Sequence, residues 1–530
     1  MSGEENERRR FHAAPLLALI FLTVLVSHLP LLNLPYFWDE AGYYVAVAHD
    51  LLLTGSPIPH TTISNAHPPL VMAYLALWWK MAGFSPFITR TAMLLASAFT
   101  LLGIFRLAQR AANLEVAIGS VICTAFYPVF YAQSSLAHLD LLAAGFIFWG
   151  LKTYVEKRAT AVAVWFSLAA LTKETAILAP MALVAWELLR SLRDYKQRKT
   201  PSLISTQSKT LVVALLCPSL PLILWYCYHY LHTGFLFGNP EFFRYNVQAT
   251  MHPLRILLAL LMRLWQTFGY MNLFLLTGAG VLAMARPPRI VEEIERPRIS
   301  LETQSAFLAV ITAYATSMAV IGGAVLARYM LPAVPLVIIV FVSTLWRRIE
   351  MWRWVLTVVV LGFMVGLFVN PPYSFSLEDN LAYRDYVLLH QDAEHFIEEH
   401  YQASRVLTAW PASDELTRPF LGYVSNPLRI VRIEDFRLEQ LMSAGEVRSN
   451  YDLALVFSTK YEPPRPILKP WTAWEKLKIR FFDYHHDVPP AIAAQILGGE
   501  IVYSEWRKGQ WVAVIEIKQI MAAHAVLAAH

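Results

Sequence analysis

Two short stretches near the start of the chain hold the residues best suited to chemistry: Phe37-Trp38-Asp39-Glu40-Ala41-Gly42-Tyr43-Tyr44 and Asn65-Ala66-His67-Pro68-Pro69-Leu70. Paired carboxylates between aromatic residues, just past a hydrophobic run, suit general-base work on a hydroxyl. Asp39 is the candidate base. Glu40 either raises the proton affinity of Asp39 or orients a second hydroxyl. The pair alone equally fits an interfacial cap or a solvated loop. His67 precedes two prolines, which holds it extended; it is a ligand, a base or a structural histidine. Asp39, Glu40 and His67 are also the candidates for a divalent metal ion, although their spacing matches no recognised metal motif.

Further residues suit binding an anion. Lys173 and Arg328 are the natural partners of a lipid-linked phosphate, Arg as a two-pronged donor and Lys as a point charge. Each has a plainer alternative: snorkelling beside Glu174 for Lys173, an ordinary flanking charge for Arg328. Asp140 serves either the site or the dipole of the helix it starts.

The elements that must position these residues are mostly apolar. Of 530 residues, 56% are hydrophobic and only 16% charged, which points to many membrane spans. The formal net charge of +5 fits basic loops on one side of a membrane, and no long basic stripe suggests nucleic acid. Cys123, Cys217 and Cys227 all lie in apolar runs and form neither a disulfide framework nor a metal site. There is no Gly-rich phosphate loop and no fixed-period repeat.

The first apolar run, 13–34, follows Arg8-Arg9-Arg10 and reads as a retained anchor with the N-terminus cytoplasmic. The loop 35–68 is then outside. The run Pro69 to Gly83 is short for a span and fits a helix dipping into the interface. Residues 159–190 lie between two basic segments and read as a hairpin turning at Thr172-Lys173-Glu174-Thr175. Later runs bring the total to about 11 transmembrane helices, the last leaving at Asn370-Pro371-Pro372. In this topology Asp39, Glu40, His67, Asp140, Lys173, Glu174 and Arg328 share the outer face, and ionisable residues beside a membrane are functional candidates by default.

From Pro371 the composition turns polar, and residues 371–530 read as a soluble α/β domain on the outer side. A helix is expected over Asp379–Tyr401, strands over Val406–Trp410, Leu428–Ile433 and Leu453–Phe457, a short helix over Pro489–Leu497, and a hairpin of Ile501–Trp506 and Trp511–Ile517. The fold expected is a polytopic α-helical membrane domain, 1–370, followed by this domain.

Five stretches together resemble a known group: Trp38-Asp39-Glu40, His67-Pro68-Pro69-Leu70, Leu136 to Asp140, Leu171-Thr172-Lys173-Glu174, and Arg328-Tyr329-Met330-Leu331-Pro332. They are similar to the protein O-mannosyltransferase and aminoarabinose transferase group, membrane glycosyltransferases of the GT-C fold. The resemblance covers about residues 35–335. It implies a polyprenyl-phosphate sugar donor, an inverting displacement with Asp39 as base, and a lipid, glycan or protein acceptor. It implies Glu40 beside the base, and His67, Asp140, Lys173, Glu174, Arg328 and Tyr329 around the substrate. Members often carry Lys-Pro-Pro where this chain has His67-Pro68-Pro69, which shifts phosphate binding toward Lys173 and Arg328. The style of the chain is bacterial, so the membrane is the inner membrane and the outer face periplasmic. A transporter or lipid-linked-sugar flippase is the rival reading. It predicts inverted repeats and ionisable residues near the membrane centre, neither of which is evident.

Overall fold

A computed structural model describes residues 13–198, 206–463 and 471–518. The expected cytoplasmic segment with Arg8-Arg9-Arg10 lies outside the described residues. Contacts sort the chain into two units. One is the helix up to Leu32 together with Val47–Val369; the other is Asn33–Ala46 together with the chain from Asn370 onward.

The first unit is built of helices. Among the described residues five are long and apolar enough to cross a membrane: Ala13–Leu31, Pro86–Ala111, Glu174–Lys196, Gln207–Thr233 and Leu301–Val320. Pro253–Phe268 and Leu273–Met284 add a sixth if counted as one span bent by 77°. Leu70–Ala82, Leu114–Phe126, Ala159–Thr172 and Trp352–Phe368 are apolar but shorter. Breaks divide the apolar runs, and the chemistry of the breaks is local. Tyr127 takes an extended ψ of 124° because Pro128 excludes the helical conformation before it. Lys173 is likewise extended, at φ −151° and ψ 134°, and ends Ala159–Thr172 where the hairpin turn was expected.

The outward faces are apolar. Leu19, Leu22 and Val26 of the first helix and Leu220, Ile223 and Leu224 of a later one are more than half exposed, which suits lipid contact and not water. The helix Pro253–Phe268 shows the same inversion clearly. Its buried face is Arg255, Ala259, Arg263, Gln266 and Thr267, while Leu257, Leu261 and Trp265 are exposed. Steps of three and four residues put the polar groups on one stripe, and that stripe faces inward.

The second unit centres on a five-stranded sheet. Its strands are β1 (Arg405–Ala409), β2 (Arg429–Ile433), β3 (Leu453–Phe457), β4 (Gly499–Arg507) and β5 (Gln510–Ile517). Their order is β2-β1-β3-β5-β4, with β1 parallel to both β2 and β3 and the last two pairings antiparallel. Val406 lies opposite Ile430 on one side and Leu453 on the other. Every residue of β3 is buried, as a near-continuous apolar run in a central strand requires. The helix Ala382–His400 packs against β4 and β5. The helices Leu438–Glu446 and Thr472–Phe482 were not expected.

Candidate active site

In the first unit the cationic candidates meet one carboxylate. Asp140 opens the helix Leu139–Val155, and its Oδ1 accepts a hydrogen bond from Lys173 Nζ at 2.5 Å. Arg328 Nε lies 3.6 Å from the other oxygen, Oδ2. All three side chains are buried. Lys173 Nζ also sits 4.3 Å above the centre of the Tyr329 ring, with the Arg263 and Arg328 guanidinium carbons at 5.4 and 5.7 Å. Lys173 and Arg328 thus share one carboxylate, and with Arg263 they share one π face.

His138 extends this network. With its proton on Nδ1 it donates to Gln133 Oε1 at 2.7 Å, leaving Nε2 to accept from Arg328 Nη1 at 3.2 Å. Tyr314 donates to the Thr175 carbonyl at 3.2 Å and so ties down the turn after Lys173.

His67 and Glu174 form a second pair: the imidazole Nδ1 donates to Glu174 Oε2 at 3.0 Å. The loop that carries His67 is fixed by its neighbours. Trp225 Nε1 donates to the Ala66 carbonyl at 2.9 Å, and the Asn239 amide donates to the Ser64 carbonyl at 3.1 Å. Ala66 itself is left-handed, with φ +59°, a conformation non-glycine residues rarely adopt.

Asp39 and Glu40 belong to the second unit, where residues 33–46 are held from several sides. Tyr36 is fully buried; its amide donates to the Leu421 carbonyl at 3.4 Å, and its carbonyl accepts from Tyr423 Oη at 2.9 Å. Phe37 meets the edges of Tyr383 and Tyr386. Trp38 lies edge-on to Trp410 and Tyr386, at ring separations of 5.3 and 5.5 Å. Glu40 is buried and turns back to accept the Phe37 amide at 2.8 Å, so it acts as a local cap. Residues Glu40–Tyr44 form one widened π-helical turn, a feature that often marks functional segments. Gly42 is required by proximity: a Cβ there would lie 2.4 Å from Trp410 Nε1. Trp38 has φ +43°; strain of this type costs about 1–3 kcal/mol and persists only where packing over-determines it.

The structure therefore brings Asp140, Lys173, Arg328 and Tyr329 together and pairs His67 with Glu174. Asp39 and Glu40 share a unit with each other and not with His67, so the candidate metal trio is not one cluster within either unit. Arg90, Arg255 and Arg263 were missed. All three are buried, with Arg90 donating to the Ser135 carbonyl at 2.9 Å and Arg255 to those of Gly322 and Gly323 at 2.8 and 3.1 Å. The available signal was arginine inside apolar helices.

Residues 66–225 match the family described as dolichyl-phosphate-mannose-protein mannosyltransferase. No curated protein sequence is significantly similar to the chain. Among solved structures, ArnT from Cupriavidus metallidurans bound to undecaprenyl phosphate superposes with a TM-score of 0.53 at 13% identity, over 96% of this chain and 99% of that one. The apo state of the same protein gives 0.53 at 14%, over 95% and 98%. The chain has the GT-C fold. It is a multi-pass membrane protein of that fold, and the family match over 66–225 points to the same class of glycosyltransferases. The matched segment contains His67, Asp140, Lys173 and Glu174.

Proposed function

We propose that the chain transfers a sugar from a polyprenyl-phosphate donor to an acceptor hydroxyl, with inversion, at the periplasmic face of a bacterial inner membrane. In this reading the N-terminus is cytoplasmic and the domain from residue 371 is periplasmic. The observation that carries it is the buried Lys173–Asp140–Arg328 cluster, in which one carboxylate holds two cations side by side. Such a site suits a phosphate that gains charge as its bond to the sugar breaks.

The chain's residues then divide the work. Lys173 and Arg328 bind the donor phosphate, with Tyr329 beneath the ammonium and Asp140 setting its direction. His67 and Glu174 hold the loop that borders the donor. Asp39 takes the proton from the acceptor hydroxyl as its oxygen attacks the anomeric carbon from the face opposite the phosphate. The new carbon–oxygen bond forms as the old one breaks, and its electron pair leaves on polyprenyl phosphate. No free nucleotide sugar enters. Glycan, lipid and protein acceptors all satisfy this chemistry.

The test uses the purified full-length protein and a radiolabelled polyprenyl-phosphate sugar. Release of polyprenyl phosphate, dependent on an added hydroxyl acceptor, is expected. Loss of a general base lowers turnover by about 10²–10⁴-fold, so Asp39→Asn should fall in that range with unchanged thermal unfolding. Turnover retained in Asp39→Asn removes Asp39 from the role, and donor moved across vesicles without cleavage favours the flippase.

A further inference from the structure

The second unit holds a buried cluster that the proposed transfer does not use. His390 and Glu394 are one turn apart on the helix Ala382–His400, so both project from the same face. Glu415 ends the short helix Ala412–Glu415, just after β1. All three side chains are buried to 1% exposure or less. One ligand atom from each lies within 4.8 Å of the other two. His390 Nδ1 is 2.7 Å from Glu415 Oε2 and 3.7 Å from Glu394 Oε1.

Two features set this apart from an ordinary buried histidine. Nε2 of His390 is buried without a hydrogen-bond partner, and apart from His390 and each other the Glu394 and Glu415 carboxyls meet no donor among the described residues. Leaving such atoms unmatched is costly, most of all for a carboxylate. Among the described residues, no Lys or Arg pairs with either glutamate; His390 is their one ion-pair partner. The cluster is short of positive charge.

We infer that His390, Glu394 and Glu415 form a structural site for a divalent transition-metal ion of the zinc class. One imidazole nitrogen and two carboxylates are a donor set such ions accept, with water as a fourth ligand. Bonds of about 2.0–2.1 Å place tetrahedral ligand atoms roughly 3.3 Å apart. The two separations from Nδ1, 2.7 and 3.7 Å, bracket that value, and all three ligand atoms already lie within 4.8 Å of one another. On binding, Nδ1 gives up its hydrogen bond to Glu415 and the ring carries its proton on Nε2. Tyr386 stacks on His390 at 3.9 Å and also meets Phe37 and Trp38. An ion here stiffens the floor under the segment that carries Asp39 without touching substrate.

The full-length protein, stripped with chelator, is titrated with Co²⁺ while visible absorption and bound metal are recorded. About one equivalent with the absorption bands of low-coordinate cobalt is expected. Glu394→Gln should weaken binding by more than about 100-fold, beyond the usual effect of losing an outer-shell group. Asp39→Asn should bind as the parent does, which separates this site from the catalytic segment. His390→Gln serves as a second variant if Glu394→Gln does not fold. No stoichiometric uptake by the parent overturns the proposal. So does an unchanged cobalt spectrum in the ligand variants, and so does a Glu394→Gln protein that is simply more stable with no metal response in either form, which marks a shared proton between the carboxyls.

Discussion

The two units bury charge in opposite ways. Around Asp140 cations gather on a carboxylate: Lys173 and Arg328 share it, and Arg263 joins them over the Tyr329 ring. Around Glu394 the carboxylates outnumber the cations, and among the described residues only a histidine pairs with them. A cluster with surplus positive charge is completed by an anion. A cluster with surplus negative charge is completed by protons or a metal. The same physics, the expense of an unpaired buried charge, underlies the phosphate site proposed in one unit and the cation site proposed in the other.

The largest effect should come from removing the shared carboxylate. Asp140→Ala takes from buried Lys173 and Arg328 the carboxylate they share, and breaking such a pair costs about 3–5 kcal/mol. Lys173→Met should cost clearly less, because Arg328 still answers Asp140. Thermal unfolding in detergent compares them; equal losses would mean that the carboxylate is not shared. Next, His67→Phe strips Glu174 of its partner. Glu174 is a quarter exposed, so solvent tempers the penalty to about 1 kcal/mol, and donor binding should weaken more than stability. Glu394→Gln should invert the Asp140 result: in metal-free protein it changes stability by less than about 1 kcal/mol, because a neutral amide replaces one of two crowded carboxyls. A loss as large as that of Asp140→Ala would erase the contrast between the clusters. The smallest effect is expected for Ala66→Gly, which relieves a left-handed backbone and should shift stability by only about 0.5–1 kcal/mol in either direction, since glycine also loosens the unfolded chain.

Much of this architecture is legible in the residues. The break at Lys173 follows from a polar pair inside an apolar run that one span cannot accommodate, and Leu453–Phe457 reads directly as a central strand. The hairpin around Lys508-Gly509 is equally plain. What escapes is what depends on distant partners. Nothing local at Tyr36 announces that Tyr423 and Leu421 bond to its backbone. The left-handed residues Trp38 and Ala66, each directly before a candidate, have side chains that argue against that conformation. Pro253–Phe268 reads as an ordinary amphipathic helix until its surroundings are known; in lipid its arginine stripe belongs inside. His390 and Glu394 show the one-turn spacing of paired ligands, but Glu415 joins them only through the fold of β1.

The assignment of Asn33–Ala46 to the second unit has a consequence for biosynthesis. These residues leave the ribosome early, yet Tyr423 follows Ala46 by 377 residues. At translation speeds of 5–20 residues per second, the segment waits roughly 20–75 s for the groups that clamp Tyr36 and Trp38. Through that interval two carboxylates and five aromatic side chains stay unclamped while later helices insert. The segment proposed to hold the base is thus among the first parts made and the last completed, and a chain truncated near residue 370 should reach the membrane with Asp39 present but unpositioned.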